Sequence, residues 1–147
     1  MNINFKKTSE HAITPTRGSE YAAGLDLYAC FDDNEMPIPP STTTKVGTGI
    51  SVEIPDGYFG AVFARSGLAT KQGLRPANCV GIIDSDYRGE IIVALYNDSF
   101  DCKTIKSGDR IAQLVIMPYA AVKLNEVDEL TETKRGSGGF GSTGVNK

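Results

Sequence analysis

The commoner catalytic and metal centres have little to build on in this chain. It has one histidine, His11, beside a proline-containing turn, so histidine–metal and Ser-His-Asp chemistry lack their central group. Its cysteines, Cys30, Cys79 and Cys102, are odd in number and lack CxxC spacing, which disfavours both a disulfide framework and a zinc site. They are expected to be reduced, mostly buried thiols of a cytoplasmic protein, with Cys79 as buried filler. No stretch reaches the ~18 consecutive apolar residues of a membrane span. Met1–Lys7 alternates polar and apolar, so no signal peptide and no secretion are expected. Positive charge is not in excess either. The net charge of −3 disfavours direct nucleic-acid binding, although a few placed arginines could still hold a small anion.

What is present is an ordinary soluble composition, 40% hydrophobic and 22% charged over 147 residues, enough for one core. Strands are predicted at 2–7, 25–31, 42–46, 50–54, 58–64, around 78–83, and at 90–96, 102–105 and 110–119. Residues 122–127 are expected to supply a last core segment. Pro55-Asp56-Gly57 and Lys106-Ser-Gly-Asp109 mark turns, and residues 68–72 suit a short helix between two glycines. Many short strands at even spacing predict an all-β sandwich or barrel over residues 1–130. Residues 131–147, rich in glycine and poor in apolar groups, are expected to form a flexible tail.

Five stretches carry candidate chemistry. Gly81-Ile-Ile-Asp-Ser-Asp-Tyr-Arg-Gly89 places Asp84, Asp86 and Tyr87 on a turn between two strands, read as a hairpin. A turn needs polar residues but has no need of an aromatic ring beside two carboxylates. Arg65-Ser66-Gly67 before a short helix would gather a guanidinium, a hydroxyl and backbone N–H groups around an anion; a plain capped loop is the structural alternative. In Gly108-Asp-Arg-Ile-Ala-Gln-Leu114, the Gln113 amide lies among apolar neighbours and needs partners. In Ala23-Gly-Leu-Asp-Leu27, Asp26 either pairs with an arginine or helps to hold a cation. In Arg135-Gly-Ser-Gly-Gly-Phe-Gly-Ser-Thr-Gly144, glycine-rich backbone, Arg135 and the hydroxyls of Ser142 and Thr143 suit phosphate, and Phe140 suits stacking on a base. Ser142 stands where a Walker A loop needs lysine, so a P-loop nucleotidase is rejected.

Together, in order and over nearly the whole chain, these stretches resemble the five motifs of the homotrimeric dUTPases (dUTP diphosphatases). One departure is Ala64, where the family usually has proline before Arg-Ser-Gly. The resemblance implies a jelly-roll, barrel-like subunit in a homotrimer with shared active sites: the Asp26, Ser66 and Gln113 motifs from one chain, Asp84 from a second and the Phe140 tail from the third. It implies hydrolysis of dUTP to dUMP and pyrophosphate, which keeps uracil out of DNA and supplies dUMP for dTTP synthesis. Asp84 would activate the water, and Tyr87 would exclude a 2′-hydroxyl. Asn78, with backbone at Gly81, Ile82 and Ile83, would read uracil. Arg65, Ser66, Gly67 and Gln113 would hold the α- and β-phosphates. Arg135, Gly141, Ser142 and Thr143 would close on the γ-phosphate, with Phe140 over the base. Mg²⁺ would ride mainly on substrate phosphates, reaching Asp26 through water at most. Asp86 is left as a structural carboxylate. The alternatives are a dCTP deaminase-like enzyme of the same fold, which would need a glutamate at the base, and a non-catalytic trimeric nucleotide-binding or regulatory module.

Overall fold

The structure, a computed structural model, describes residues 1–139. Its strands are β1 (Asn4–Lys7), β2 (Thr16–Arg17), β3 (Leu25–Tyr28), β4 (Glu35–Ile38), β5 (Thr43–Gly47), β6 (Ile50–Glu53), β7 (Tyr58–Phe63), β8 (Leu74–Pro76), β9 (Gly81–Ile83), β10 (Ile92–Asn97), β11 (Lys103–Lys106) and β12 (Arg110–Pro118). One helix, α1 (Ser66–Gln72), interrupts them. All pairings are antiparallel. The largest sheet runs β2-β3-β12-β7-β9, a second runs β5-β10-β8, and β1-β6 and β4-β11 form two-stranded ribbons. This is the all-β, jelly-roll type of subunit that the strand spacing and the motif resemblance imply.

Burial alternates along the strands as period-two patterning requires. In β10, Val93, Leu95 and Asn97 are buried between more exposed neighbours. The core, with Leu27, Ile38, Val46, Ile50, Leu74, Ile91, Leu95, Ile105, Ile111 and Leu114 almost wholly excluded from solvent, draws on every sheet. Pro37 lies in β4, which pairs only with β11, so its missing N–H breaks no ladder on a second side.

One irregularity positions the site. Between β12 and β3, Gln113 faces Asp26 and Ala112 faces Leu27, but Arg110 faces Tyr28, leaving Ile111 as an extra residue. Residues 110 and 113 would lie on opposite faces of a regular strand. The bulge reverses that parity and brings both side chains to the face of Asp26. Ile111 and Ala112 both turn inward, 1% and 0% exposed.

Several expectations are corrected. Residues 122–127 form no element and pack on no core: Val122, Leu124 and Val127 are 74%, 97% and 52% exposed. After Tyr119 donates its N–H to Gly57 O, the chain leaves the fold, so apolar content alone misidentified this segment as core. Asn78 lies in a turn between β8 and β9 rather than in a strand, with Cys79 at φ 60°. The Gly81–Glu90 segment is not a paired hairpin, because β9 joins β7 while β10 joins β5 and β8. It carries the chain from one sheet to another. The thiols are not mostly buried: Cys30 is half-buried, whereas Cys79 and Cys102 are exposed and all three are free. Cys79 is therefore not buried filler.

Candidate active site

Two groups of the candidate residues form around β7, one near each end. At its C-terminal end, Phe63 faces Gln113, which faces Asp26 on the next strand. Two residues beyond Phe63, Arg65 caps the start of α1 in extended conformation, and its Nε donates to Asp26 Oδ1 at 2.9 Å. Gln113 Nε2 donates to the same oxygen at 3.3 Å, and Arg110 Nη1 donates to Oδ2 at 3.2 Å. The half-buried amide thus finds its partner. Asp26, with its side chain 3% exposed, is an ion-pair hub: two guanidinium groups share one carboxylate and leave a net positive charge there.

Burial of such a carboxylate is tolerable only because its oxygens are so fully engaged. Of the two readings of Asp26, pairing with arginine is the one this geometry displays. Among the described residues, no group of three or more histidine, cysteine or acidic side chains could hold a metal. The residues do not fit a protein cage for Mg²⁺.

A cleft of about 370 Å³ opens beside this hub, lined by Arg65, Gly67, Leu68, Lys71, Asp109 and Arg110 among others. The N–H groups of the first turn of α1 have no intrahelical acceptors, and Ser66 and Gly67 are exposed there. Chemically this end suits an anion. Arg110 is the residue that sequence reasoning missed. Its signal was an arginine directly after a turn and before apolar strand residues, but its role depends on the bulge.

At the other end of β7, Ile83 faces Gly60, so Asp84 emerges beside Phe59. A cleft of about 170 Å³ is lined by Ile82, Ile83, Asp84, Tyr87, Glu90 and Ile92, and a neighbouring one of about 230 Å³ by Phe59, Ile82, Asp84 and Tyr119. Asp84 is exposed; Tyr87 N–H donates to its carbonyl at 3.1 Å, closing the turn. The Tyr87 ring lies against Gly89, where an added Cβ would come within 2.4 Å of the phenolic oxygen. Asn78 is exposed and folds its amide over Gly81, where a Cβ would meet Nδ2 at 3.1 Å. Glycine at 81 and 89 is needed for these close approaches.

The two ends are not adjacent. Phe59 and Phe63 are separated by about 13 Å of strand, and Arg65 lies further on. Arg135 bonds within its own segment, to Gly138 O at 2.8 Å. Phe140, Gly141, Ser142 and Thr143 lie outside the described residues.

A family model for dUTPase matches residues 10–144. The chain belongs to the dUTPase family. It is 51% identical to the deoxyuridine 5'-triphosphate nucleotidohydrolase of Desulfitobacterium hafniense (strain DSM 10664 / DCB-2) over 99% of this chain and 97% of that one. A mutant Staphylococcus bacteriophage 80alpha dUTPase with dUpNHpp is similar in structure, with TM-score 0.89 and 28% identity over 98% of this chain and 99% of that one. A mutant dUTPase of phage phi11 of S. aureus, described with the coordination of a structural Mg(II) ion, has TM-score 0.81 and 25% identity over 90% and 100%. Asp26, Arg65, Asp84 and Gln113 all lie within the span matched to the dUTPase family.

Proposed function

We propose that this dUTPase-family chain hydrolyses dUTP to dUMP and pyrophosphate, in active sites that three copies complete together. The observation that carries the shared site is the separation along β7. A water-activating carboxylate must sit within a few ångströms of the phosphorus under attack. Asp84 and the Arg65–Ser66–Gly67 loop stand at opposite ends of β7, with about 13 Å of strand inside that gap. This separation within one chain supports a site in which neighbouring chains bring the two groups to one α-phosphate.

Two further features support assembly. Ile82, Ile92 and Tyr119 expose apolar surface around the Asp84 clefts, at 65%, 52% and 48%. Beyond Pro118, Val122, Leu124 and Leu130 lie bare on a segment that finds no cover in its own subunit.

Within that site each group has a physical task. Asp84 takes a proton from water as oxygen attacks the α-phosphorus, and pyrophosphate leaves. Arg65, the Ser66 hydroxyl, the Gly67 N–H and Gln113 neutralise and orient the α- and β-phosphates. β9 is an edge strand, so along Gly81–Ile83 the backbone groups of alternate residues point away from β7 and are unpaired in the sheet. They suit the acceptor–donor–acceptor edge of uracil, with Asn78 alongside; cytosine would leave them mismatched. The Tyr87 ring packs against the deoxyribose and leaves no space for a 2′-hydroxyl. Arg135, Gly141, Ser142 and Thr143 close on the γ-phosphate, with Phe140 over the base. Mg²⁺ bound on the triphosphate would supply charge neutralisation, and of this chain's residues Asp26 would reach it through water at most. In this reading the enzyme works in the cytoplasm, where DNA precursors are made. It keeps uracil out of DNA and supplies dUMP for dTTP synthesis.

The test is pyrophosphate release across dUTP, UTP, dTTP and dCTP, with and without Mg²⁺. Turnover confined to dUTP is expected. Ammonia release from dCTP would overturn the reading in favour of a deaminase.

A further inference from the structure

Glu90 follows the last glycine of the Asp84 segment and has no part in the chemistry proposed above, yet it is unusually tied down. Its carboxylate Oε1 accepts the backbone N–H of Gly49 at 2.6 Å, 41 residues away in sequence. Gly47 leaves the space for it, since a Cβ there would approach the same oxygen within 2.6 Å. Gly49 adopts φ +65°, and a Cβ on it would meet Ala12 Cβ at 2.5 Å, so this turn has one tight packing arrangement. The neighbouring Ile91 is held to the same turn twice. The buried Thr48 hydroxyl donates to Ile91 O at 2.7 Å, and Ile91 N–H donates to Ile50 O at 2.8 Å. At the other side of its peptide, the Glu90 carbonyl accepts the Tyr87 hydroxyl at 2.9 Å.

These contacts form one chain, from the β5–β6 turn through the Glu90 carboxylate and its backbone to the hydroxyl that fixes the Tyr87 ring over Gly89. The Ile91 N–H of that peptide stays bonded to Ile50 O without the carboxylate, so the Gly49 anchor sets the finer tilt of the Glu90 carbonyl and, through it, of the Tyr87 ring, which is itself 43% exposed. We propose that Glu90 is a positioning residue for sugar selection: anchored at Gly49, it holds the Tyr87 ring where a 2′-hydroxyl would have to go. This rests on the reading of Tyr87 as the group that excludes UTP.

The experiment measures kcat and KM for dUTP and for UTP in the full-length protein and in four variants. In Glu90→Ala, the ratio of kcat/KM for dUTP over UTP should fall about five- to ten-fold, the scale of one lost hydrogen bond, through a gain on UTP while kcat for dUTP stays within about two-fold. Glu90→Gln keeps an oxygen to accept the Gly49 N–H and should retain the ratio. Gly47→Ala leaves Glu90 intact but puts a methyl where its carboxylate lies, and should reproduce Glu90→Ala. Should Glu90→Ala fail to fold, Gly47→Ala reports the same displacement. Equal losses on both substrates with an unchanged ratio would mark Glu90 as merely structural and overturn the proposal. The fourth variant, Tyr87→Ala, separates the two levels. A collapsed ratio there upholds the sugar reading whatever Glu90 does; an unchanged ratio would overturn both.

Discussion

Arg110 and Gln113 sit three residues apart on one strand, yet they donate to opposite oxygens of the same carboxylate, Asp26, at 3.2 and 3.3 Å. The bulge at Ile111 makes this possible, and Arg65 completes the hub from the end of β7. The Arg65–Ser66–Gly67 loop is thus braced from beneath by an ion pair that reaches into the core.

Asp26→Asn should therefore weaken both the fold and the loop. Removing the charge leaves two guanidinium groups sharing a neutral amide. We expect a loss of about 2–3 kcal/mol, discounted from a fully buried pair because Arg65 and Arg110 are partly solvated. Urea denaturation of the intact assembly measures it. Steady-state assays should show kcat/KM for dUTP reduced about a hundred-fold as Arg65 loses its orientation.

Asp84→Asn should spare binding and remove turnover. Its side chain is exposed and bears no contact that the fold requires, so melting should be unchanged. Loss of a general base predicts a fall in kcat of about 10²–10⁴-fold, with a non-hydrolysable dUTP analogue still bound. A near-normal rate would show that another group activates the water.

Truncation after Lys134 separates folding from catalysis. Among the described residues the whole core precedes that point, so circular dichroism melting should match the full chain. Pyrophosphate release should drop about a hundred-fold once the tail no longer orients the triphosphate. An unaffected rate would leave the tail without a catalytic part.

Mixing the last two variants tests ownership of the site. Each is expected to be nearly inactive by itself. In randomly mixed trimers, about a quarter of the sites would combine an intact Asp84 from one neighbour with an intact tail from the other, and activity should recover in that proportion. Proven mixed trimers without recovery would contradict a site shared among chains.

Much of this protein was legible in its residues. Alternating β-branched runs and regularly spaced turn formers determined an all-β domain, because period-two burial leaves a direct trace in sequence. The five motifs determined the family, because they recur in order over nearly the whole chain. What the tertiary structure decided concerns parity, distance and cover. The extra residue Ile111 turns Arg110 onto the Asp26 face, and only strand register reveals it. β7 holds Asp84 and Arg65 apart, which a list of motifs places side by side. Glu90 meets Gly49 across 41 residues, a contact with no local signal. Residues 122–127 carry apolar side chains like those of a core strand but lie exposed, outside the packed fold. Hydrophobicity favours burial of a side chain, and only the three-dimensional arrangement decides whether it is buried and against what.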